Sequence, residues 1–431
     1  MAYPYTHEKE VRILSKHFGE PEARTVEGWK ARGGYQALSK AFEMGRDAII
    51  DEVKASGLRG RGGAGFPAGV KWSFMPKEQT RPHYLLCNAD ESEPGTFKDR
   101  ELLRWTPHQV IEGMIIAAYA IQAEQAYVYC RGEFFETTQV LARAVEEAYE
   151  AGYLGENILG SGVNVDITVH CGGGAYICGE ETALMNSLEG KRGTPRVKPP
   201  FPAQAGYLGM PSTVNNVETL SSVPFIIQAG AEAYRANGTK ESPGTKLFCV
   251  SGHVRRPGNY ELPLGFPLME LINDVCGGMK GGRALKGVIP GGSSVPILNA
   301  EECENCEMSF EGVIAAGSQL GCAAVIVMDD STDIVKAVRR MVGFYAHESC
   351  GQCTPCREGS AWTEKILRRI EEGRGTEADL DTLMEVTSQM EGTTICVLSD
   401  SVAAPVKSSI NKFREEYLSR IRTGEKVGVA S

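Results

Sequence analysis

Residues 349–357 read Ser-Cys-Gly-Gln-Cys-Thr-Pro-Cys-Arg and place three thiols at three-residue intervals. Gly351 and Pro355 are expected to keep this segment out of regular helix, so that all three sulfurs turn toward one point. Three cysteines at this spacing with a fourth elsewhere are typical of iron-sulfur proteins, whereas zinc sites normally use two separated Cys-x2-Cys pairs. The segment therefore predicts a cluster-binding loop.

Cys396 is the expected fourth ligand, because it lies beyond two helical stretches of similar length, 357–372 and 377–391. Sixteen helical residues advance about 24 Å, so the second helix returns to the level at which the first began. Loops at one end of an up-down-up-down bundle lie side by side. We therefore predict a 4Fe-4S cluster, with a four-cysteine zinc site as the alternative, bound by Cys350, Cys353, Cys356 and Cys396.

The rest of the C-terminal region, residues 331–431, is predicted to complete a four-helix bundle. Its first and last helices are expected at about 332–347 and 399–421, and apolar residues recur at helical spacing in the first. Thr376 and Asp379 resemble a capping box at the start of the third helix, with Asp in place of Glu. Residues 420–431 are expected to be frayed.

Toward the N-terminus the hydrophobic pattern changes twice. Residues 246–330 combine short β-like segments, a helix at 267–276 and glycine-rich turns, which predicts a small β-grasp-like domain. Residues 58–245 alternate apolar strands with helical stretches, the pattern of an α/β domain with a mostly parallel sheet. Residues 1–57 are predicted to be an N-terminal helical lead-in.

Composition and charge exclude several classes of protein. The 431 residues carry a net charge of −10, which disfavours nucleic acid as a partner. No apolar stretch approaches the roughly 20 residues that span a bilayer, and residues 1–10 lack the apolar core of a secretory signal. We therefore expect a reducing compartment, in which the 13 cysteines serve as thiols or metal ligands.

Nine cysteines lie outside the cluster motif. The pair Cys303 and Cys306 has no second pair nearby and is a weak candidate for metal binding. The others occur singly in apolar or glycine-rich surroundings, where a buried small hydrophobe is the usual role. They are Cys87, Cys130, Cys171, Cys178, Cys249, Cys276 and Cys322.

A glycine-rich segment at 58–66 reads Leu-Arg-Gly-Arg-Gly-Gly-Ala-Gly-Phe. Gly60, Gly62 and Gly65 have the order of a dinucleotide fingerprint, in which absent side chains let backbone N–H groups approach phosphates. A helix precedes this loop and a strand follows it, so it is not an ordinary Rossmann turn. Flanking cations and rings favour a phosphate and ring site over a flexible turn: Arg59, Arg61, Lys71, Phe66, Trp72 and Phe74.

Three further polar segments are candidates for ligand binding. Residues 88–96 carry Asp90, Glu91 and Glu93 after a predicted strand, at the edge where α/β sheets bind ligands, although a solvated acidic loop is the alternative. Residues 172–182 form a second glycine-rich turn that ends in two glutamates, and residues 214–219 place two amides and a hydroxyl at a helix start. Together with the cluster motif, these loops suggest a flavin that accepts two electrons and passes them singly to metal.

Four motifs together resemble the NADH-binding flavoprotein of respiratory complex I, the family of its 51 kDa or F-type subunits. They are residues 57–66, residues 87–100, which read Cys-Asn-Ala-Asp-Glu-Ser-Glu-Pro-Gly-Thr-Phe-Lys-Asp-Arg, residues 174–184, which read Gly-Ala-Tyr-Ile-Cys-Gly-Glu-Glu-Thr-Ala-Leu, and residues 349–357. The resemblance extends over about residues 30–420. It implies an α/β fold with a Rossmann-like FMN/NADH domain, a ubiquitin-like β-grasp (SLBB) domain at 246–330 and a C-terminal four-helix bundle with an iron-sulfur cluster.

The resemblance also implies the site residues. It places Phe66, Phe74 and Phe201 near the adenine of NADH, and Glu93, Glu181 and Lys198 near the nicotinamide nucleotide, with Glu93 and Glu181 taking part in the reaction. The residues expected to bind FMN are Gly60, Gly62, Lys71, Asn88, Asp90, Glu91, Tyr176, Gly179, Glu180, Asn215, Asn216 and Thr219. Arg61, Gly63 and Gly65 of the same loop are further expected cofactor-binding residues.

The implied activity is that of an NADH:quinone oxidoreductase. NADH delivers hydride to the flavin N5, and single electrons then leave through the 4Fe-4S cluster toward quinone, with the protein aligning the reactants and excluding water. Glu93 is expected to favour NADH over NADPH, because its charge repels a 2′-phosphate. The implied partners are a thioredoxin-like 2Fe-2S subunit of the E or 24 kDa type and the large iron-sulfur subunit of complex I, on the cytoplasmic side of the inner membrane.

Two departures and two alternative functions accompany this interpretation. Ser399 stands where the family favours Gly, which is expected to affect the start of the last helix, and Cys171 with its three glycines differs from the commoner Gly-Ala-Gly turn. The diaphorase subunit of an NAD-linked hydrogenase or formate dehydrogenase shares every motif, although the ferredoxin-like domains common there are not in this sequence. A non-enzymatic iron-sulfur scaffold is the alternative of another class.

Overall fold

The computed structural model describes residues 6–428, and its first helices lie in the core of the α/β region. They are α1 (Val26–Ala31), α2 (Gln36–Met44) and α3 (Arg46–Ser56), after a 3-10 turn at Pro21–Arg24. Trp29, Leu38 and Ile49 are buried in the same hydrophobic core as the strands that follow. The predicted lead-in therefore shares its core with the sheet, and a domain boundary near residue 57 stays a prediction. Residues 1–5 lie outside the described part.

The first sheet has four parallel strands. They are β1 (His83–Ala89), β2 (Ala123–Cys130), β3 (Asp166–Cys171) and β4 (Ser212–Asn216), and their order across the sheet is β3-β2-β1-β4. Leu85, Leu86 and Cys87 are fully buried, as expected where both faces of a parallel sheet are covered. The predicted parallel sheet is confirmed, and the carboxyl ends of all four strands lie at one edge.

Helices cover this sheet. In chain order they are α4 (Ala68–Ser73), α5 (Asp99–Trp105), α6 (Pro107–Ala120), α7 (Phe135–Glu150), α8 (Glu181–Leu188), α9 (Pro202–Ala205), α10 (Val217–Ala229) and α11 (Ala231–Arg235). Helix α6 is buried on almost every side because it packs against both β2 and α10, and it is correspondingly apolar around its whole circumference.

The β-grasp-like part contains a five-stranded mixed sheet. Its strands are β5 (Thr245–Gly252), β6 (Gly258–Pro263), β8 (Leu285–Ile289), β9 (Leu298–Asn299) and β11 (Ala324–Asp329), in the order β6-β5-β11-β8-β9, while β7 (Phe266–Pro267) pairs with β10 (Glu307–Met308). Only β5 and β11 are parallel. The helix expected at 267–276 is α12 (Leu268–Glu270) continued by a π-helical turn at Leu271–Val275, and two short helices follow, α13 (Ala300–Cys303) and α14 (Phe310–Ala315).

The C-terminal region is the predicted helix bundle, with one helix more than expected. Its helices are α15 (Ile334–Glu348), α16 (Thr354–Glu371), α17 (Glu377–Met390), α18 (Leu398–Lys412) and α19 (Arg414–Gly428). The stretch predicted as one helix at 399–421 is broken at Phe413, whose φ of −128° is not helical. Residues 420–428 are helical as the end of α19, residues 429–431 lie outside the described part, and the expected fraying stays a prediction.

The starts of the bundle helices agree with the sequence in one case and correct it in another. Thr376 and Asp379 form the predicted capping box. Pro355, however, does not exclude helix, because it occupies the first turn of α16, where a backbone N–H has no intrahelical partner. Cys356 therefore lies inside α16. Within residues 6–428, no helix combines the length and apolar content needed to cross a membrane.

Glu112 is a buried carboxyl group beneath the sheet, and we expect it to make stability depend on pH. Trp29 Nε1 and Ala37 N each donate to it at 3.1 Å, and burial raises its pKa to about 7 from an ordinary 4.5. Because the folded state binds this proton more tightly, stability is lost as pH rises from the unfolded to the folded pKa, by about 3 kcal/mol. Glu112→Gln should remove that loss.

The measurement is the melting temperature of both proteins from about pH 5 to 8. The wild-type value should fall more steeply with pH than that of Glu112→Gln, because all other titrating groups are common to both chains. Parallel curves for the two proteins would show that Glu112 does not titrate in this range.

Candidate functional site

The glycine loop, residues 59–67, lies between α3 and α4 and folds back on itself. Gly60 N donates to Phe66 O at 2.8 Å, and Ala68 N donates to Leu58 O at 2.8 Å. A Cβ on Gly62 would lie 3.0 Å from Asn216 Cβ, so the loop packs directly on the end of β4. It is thus at the carboxyl edge of the parallel sheet, where ligands bind in α/β proteins.

Two glycines of this loop require their conformational freedom. Gly63 and Gly65 have φ values of 123° and 65°, in the region that disfavours side chains. A Cβ on Gly65 would also lie 2.5 Å from the Phe310 ring of α14. Arg59 Cζ lies over the same ring, 3.9 Å from its centroid, and the Arg59 guanidinium forms an ion pair with Glu311. Helix α14 of the β-grasp-like part therefore packs directly against the glycine loop.

Asn215 and Asn216 at the end of β4 and Thr219 at the start of α10 lie against the glycine loop and the helix α4 that follows it. Arg61 N donates to Thr219 Oγ1 at 2.8 Å, and Trp72 Nε1 donates to Asn215 Oδ1 at 2.9 Å. Asn216 Oδ1 caps α10 by accepting from Glu218 N at 3.0 Å. The structure thus brings these side chains to the glycine loop, with several of their oxygen atoms engaged by the protein.

The acidic loop after β1 joins the second glycine-rich turn through Asn88, whose Nδ2 donates to Gly179 O at 2.8 Å. Ser92 Oγ donates to Asp90 Oδ1, but the buried Asp90 Oδ2 has no hydrogen-bond partner in the described part of the chain. Burial raises the pKa of Asp90 to about 7. A Cβ on Gly179 would lie 3.9 Å from Asp90 Oδ2, so the unpartnered oxygen borders the backbone of the second turn.

Glu91 has a different surrounding from its neighbours. Its carboxylate accepts from the backbone N–H groups of Lys98 and Asp99 at 2.7 Å each and from Arg100 Nε at 2.9 Å. Its carbonyl oxygen accepts from Arg131 Nη1 at 2.9 Å. Glu91 therefore orders the loop by holding the start of α5, and its carboxylate is not presented at the surface.

Glu93 is the point at which three regions of the chain meet. Its carboxylate accepts from Tyr176 OH and Ser294 N at 2.8 Å each, and from Tyr345 OH at 3.3 Å. Tyr176 belongs to the second glycine-rich turn, Ser294 to the β-grasp-like part and Tyr345 to α15. Burial raises the pKa of Glu93 even though these donors oppose the shift.

The paired glutamates at the start of α8 share one partner, because Lys198 Nζ lies 3.3 Å from Glu180 Oε1 and 3.0 Å from Glu181 Oε1. Glu180 caps the helix, accepting from Thr182 N at 2.8 Å and Ala183 N at 2.9 Å. Glu181 lies between two ammonium groups, with Lys71 Nζ at 2.8 Å and Lys198 Nζ at 3.0 Å. Although burial opposes ionisation, the two lysines hold the pKa of Glu181 below its usual value. The structure thus places a cationic pair and a carboxylate together beside the glycine loop.

Three phenylalanines predicted to lie near adenine are exposed. Phe66, Phe74 and Phe201 have exposed fractions of 47%, 58% and 54%. The rings of Phe66 and Phe74 are 6.0 Å apart and tilted by 47°. Exposed rings around polar groups are typical of a ligand site rather than of a core.

The four cysteines of the cluster motif gather at one end of the bundle. All four pack against the same hydrophobic core, with Cys356 buried and the other three partly exposed. Ile395 N donates to Cys353 Sγ at 3.4 Å, which joins the loop before α16 to the loop before α18. Burial raises the pKa of Cys396 to about 11, with smaller contributions from Cys356 and Cys350. The predicted meeting of the two loops is present.

Two further observations concern the zinc alternative and the serine at position 399. In the described residues no three His, Cys, Asp or Glu side chains surround a single-ion site. Ser399 is buried in the first turn of α18, which begins at Leu398, and its hydroxyl lies 2.5 Å from Thr394 Oγ1. Serine is therefore accommodated in ordinary helix at this position.

The second glycine-rich turn is in direct contact with the residues that lead into the cysteine motif. Tyr176 N donates to Glu348 Oε2 at 3.0 Å, and Glu348 is the last residue of α15, two positions before Cys350. Arg192 Nη2 donates to Cys350 O at 2.8 Å. One residue, Tyr176, thus contacts both Glu93 and the end of the helix that leads into the cysteine motif.

The remaining cysteines follow the prediction with two exceptions. Cys171 is exposed and Cys322 is partly exposed, so neither is a buried small hydrophobe. Cys171 is exposed because it ends the edge strand β3, and Cys322 Sγ points to the glycine loop, 3.6 Å from Gly62 O. Cys303 and Cys306 are buried, and burial raises their pKa values to about 12 and about 11. The buried cysteines that occur singly are Cys87, Cys130, Cys178, Cys249 and Cys276.

Sequence reasoning missed the partners of Glu93 that lie outside the α/β region. The apolar stripe of its helix indicates only a core role for Tyr345, and no motif marks Ser293 or Ser294. Ser293 Oγ lies 2.6 Å from Tyr345 OH. The local sequence signal next to these serines is Gly292. In the structure Gly292 has a φ of 99°, and a Cβ on it would lie 2.6 Å from Glu93 Cγ.

Three parts of the chain match known families. Residues 53–225 match the family described as Nuo51 FMN-binding domain, and residues 246–335 match the SLBB domain. Residues 336–420 match the NADH-ubiquinone oxidoreductase-F iron-sulfur binding region. These matches confirm the expected fold class: an FMN-type α/β region, an SLBB region and an iron-sulfur helical region.

Similar full-length chains support the same relationship. The F subunit of the NADH-quinone oxidoreductase of Mycobacterium tuberculosis is 53% identical over 419 residues, covering 96% of this chain and 94% of that protein. The corresponding protein of Rickettsia bellii is 51% identical over 415 residues, covering 96% of this chain and 99% of that protein.

Among solved structures, a chain of an NAD+-reducing [NiFe]-hydrogenase in the H2-reduced state is similar in fold. Its TM-score is 0.81 at 40% sequence identity, and the match covers 88% of this chain. The match spans 64% of the hydrogenase chain, so that protein is longer than the part compared.

Proposed function

Because this chain belongs to the family of NADH-quinone oxidoreductase F subunits, we propose that it is the NADH dehydrogenase flavoprotein of such a complex. It transfers electrons from NADH, through FMN and a 4Fe-4S cluster, toward quinone. Both cofactors agree with the descriptions of the matching families.

The residues at the sheet edge fit FMN. The loop at 60–65 contains four glycines, of which Gly62 is exposed and Gly63 partly exposed, and it adjoins the N-terminus of α10, which favours anions. Asp90 Oδ2 is buried without a partner among residues 6–428 and borders Gly179, as expected where a ligand completes the hydrogen bonding. The four thiols gathered at one end of the bundle are likewise the donor set of a 4Fe-4S cluster.

We assign the site residues by this fit. The glycine loop, Asn216, Thr219 and Lys71 would hold the phosphate, while Asn88, Asp90 and the turn at Gly179 would hold the ring system. Phe66, Phe74 and Phe201 would contact the adenine of NADH, with Glu93, Glu181 and Lys198 at the nicotinamide nucleotide. Cys350, Cys353, Cys356 and Cys396 would hold the cluster.

When bound, FMN accepts an electron pair as hydride and releases electrons singly, which NADH alone does not do. The residues of this chain supply alignment rather than acid or base chemistry. Lys71 and Lys198 fix the Glu181 carboxylate, and Tyr176, Ser294 and Tyr345 fix that of Glu93. A reacting pair held in this way needs less reorganisation to reach the productive geometry.

The contact of Tyr176 with both Glu93 and Glu348 is the observation that best supports electron transfer within one chain. The proposed nicotinamide site and the helix that leads into the cysteine motif thereby contact one common residue. In a non-enzymatic iron-sulfur scaffold the glycine loops would serve only as turns, and contact between them and the cysteine loop would not be required.

In the experiment, the purified full chain is reconstituted with FMN, iron and sulfide. It is then titrated with NADH under anaerobic conditions. Absorbance should show bleaching of the flavin, and EPR should show a reduced 4Fe-4S cluster. A chain that takes up no flavin would leave the iron-sulfur scaffold as its function. Zinc in place of iron after faithful loading would contradict the cluster.

A second candidate, the diaphorase subunit of an NAD-linked hydrogenase, is favoured by the similarity to the hydrogenase chain. The two functions differ in the proteins that assemble with this chain. We favour complex I and propose as partners a thioredoxin-like 2Fe-2S subunit and the large iron-sulfur subunit, on the cytoplasmic side of the inner membrane. Co-purification of a hydrogenase subunit with the native complex would instead establish the diaphorase.

Glu93→Gln is expected to raise the NADPH to NADH ratio of kcat/KM by about tenfold, because a neutral amide no longer repels, across the weakly screened site, the extra phosphate that NADPH carries on its adenosine ribose. The raised pKa of Glu93 fixes the sign of the pH dependence: the preference for NADH is present above that pKa and weakens as pH falls through it. The ratio is measured with ferricyanide as acceptor from about pH 5 to 8.

Glu156→Gln, at an exposed position outside the site segments, is the control and should leave the ratio unchanged. If Glu93→Gln behaves like this control at every pH, Glu93 does not discriminate between the two nucleotides.

A further inference from the structure

A group of buried charged side chains adjoins the glycine loop, and most of its members are outside the residues assigned above. We call it the buried charge cluster, and each member is at most 3% exposed: Arg61, Lys98, Asp99, Glu218 and Lys246. Glu218 Oε2 lies 2.5 Å from Lys246 Nζ and 2.8 Å from Lys98 Nζ, and Lys98 Nζ donates to Asp99 Oδ1 at 2.7 Å.

The charges of this cluster do not balance. Although burial opposes ionisation, the ammonium groups of Lys246 and Lys98 hold the pKa of Glu218 at about 2, so it is a carboxylate at neutral pH. With Lys246 protonated in its ion pair with Glu218, three cations face two carboxylates, even though burial lowers the pKa of the Lys246 ammonium group. Glu91, the nearby buried carboxylate, does not close the gap because it is paired with Arg100 at 2.9 Å. Surplus buried charge is costly unless a counter-charge is supplied.

The guanidinium group of Arg61 is the member of the cluster whose hydrogen-bond donors are incompletely paired. Its Nη2 donates to Tyr234 OH at 2.8 Å and to Pro243 O at 3.0 Å, but its Nε and Nη1 are buried with no acceptor among residues 6–428. Charge in the protein interior is weakly screened, so it acts on groups that it does not touch. The cluster thus generates a positive potential that the described residues do not neutralise.

Hydrogen bonds connect the cluster to the glycine loop. Asn216 Nδ2 donates to Asp99 Oδ2 at 2.7 Å, and Lys98 Nζ lies 3.4 Å from Asn216 Oδ1. Asn216 is also the residue on which Gly62 packs and the cap of the 13-residue helix α10. The positive potential therefore reaches the loop and helix start proposed to hold a phosphate.

We propose that the buried charge cluster supplies the counter-charge for the FMN phosphate, with Lys98 and Lys246 as positioning residues that act through Asp99 and Glu218. This inference rests on the proposed function and deepens it. Lys246 belongs to β5, whereas Lys98 and Glu218 belong to the α/β region. FMN binding is thereby coupled to the packing of the β-grasp sheet against the glycine loop.

The test compares FMN with riboflavin, which lacks the phosphate, by quenching of flavin fluorescence on titration with the full apoprotein. Lys246→Met removes one charge and keeps the aliphatic stem. It should weaken FMN binding by about tenfold and change riboflavin binding by less than about twofold. Glu218→Gln keeps an acceptor for Leu247 N, raises the net charge and should shift the FMN to riboflavin affinity ratio in the opposite direction.

Lys286→Met is the matched control, because Lys286 lies on β8 of the same sheet but pairs with Glu416 at 2.9 Å. It should leave the affinity ratio unchanged. Equal weakening of both flavins by Lys246→Met, or a shift of the same sign in Glu218→Gln, would overturn the inference, and either variant decides the matter if the other does not fold. A wild-type chain that binds neither flavin would overturn the proposed function and the inference together.

Discussion

Cys396→Ala is expected to abolish the EPR signal of the reduced 4Fe-4S cluster while NADH still bleaches the bound flavin. The three thiols of residues 350–356 cannot complete the four-thiolate donor set without the loop before α18. The flavin is retained because the glycine loop is held by α10 and α14, not by this loop. EPR after reduction with dithionite, together with iron content, measures the cluster independently of electron supply from NADH.

Cys306→Ala provides the control for this experiment. Cys306 is a buried cysteine outside the cluster motif, and it belongs to the Cys-x2-Cys pair that is a weak metal candidate in the sequence. We expect its EPR signal and iron content to match the wild type. An unaltered spectrum in Cys396→Ala, or loss of the cluster in Cys306→Ala, would require a different ligand set.

Gly65→Ala is expected to weaken FMN binding on the order of 100-fold. The added Cβ meets the Phe310 ring at 2.5 Å, and the φ of 65° disfavours any side chain. Phe310 cannot withdraw freely because Arg59 stacks on it at 3.9 Å. The loop must therefore shift away from α14, into the space assigned to the phosphate.

Gly160→Ala separates backbone strain from this displacement. Gly160 has a φ of 75°, but no atom lies within 4 Å of its Cβ position. It should carry a comparable strain and bind FMN with wild-type affinity in the same fluorescence titration. Equal FMN affinity in Gly65→Ala and Gly160→Ala would show that the contact with Phe310 does not shape the site.

The carboxylate of Glu93 joins three regions of the chain. Tyr176, Ser294 and Tyr345 come from separate regions, and each donates to the same carboxylate. All three hydrogen bonds to Glu93 can form only when the three regions are packed against one another. A change in the docking of the bundle or of the β-grasp sheet is therefore felt at the proposed nicotinamide site.

Some expectations failed because local signals were ambiguous. Pro355 suggests an exclusion of helix, although proline is compatible with a first turn, and Cys356 consequently lies inside α16 rather than before it. No glycine or proline marks the break at Phe413, where α18 ends and α19 begins. Glu91 resembles its acidic neighbours in the sequence, but its carboxylate caps α5, which only the position of that helix reveals.

The amino-acid sequence alone determined the parallel sheet, the bundle, the cysteine set and the glycine loop, because helix rise, strand alternation and thiol spacing are local properties. Tertiary structure alone decided that Tyr345 and Ser294 hold Glu93, and that Lys246 shares Glu218 with Lys98. These contacts join residues up to about 250 positions apart, and no local pattern encodes which distant side chains a folded chain brings together.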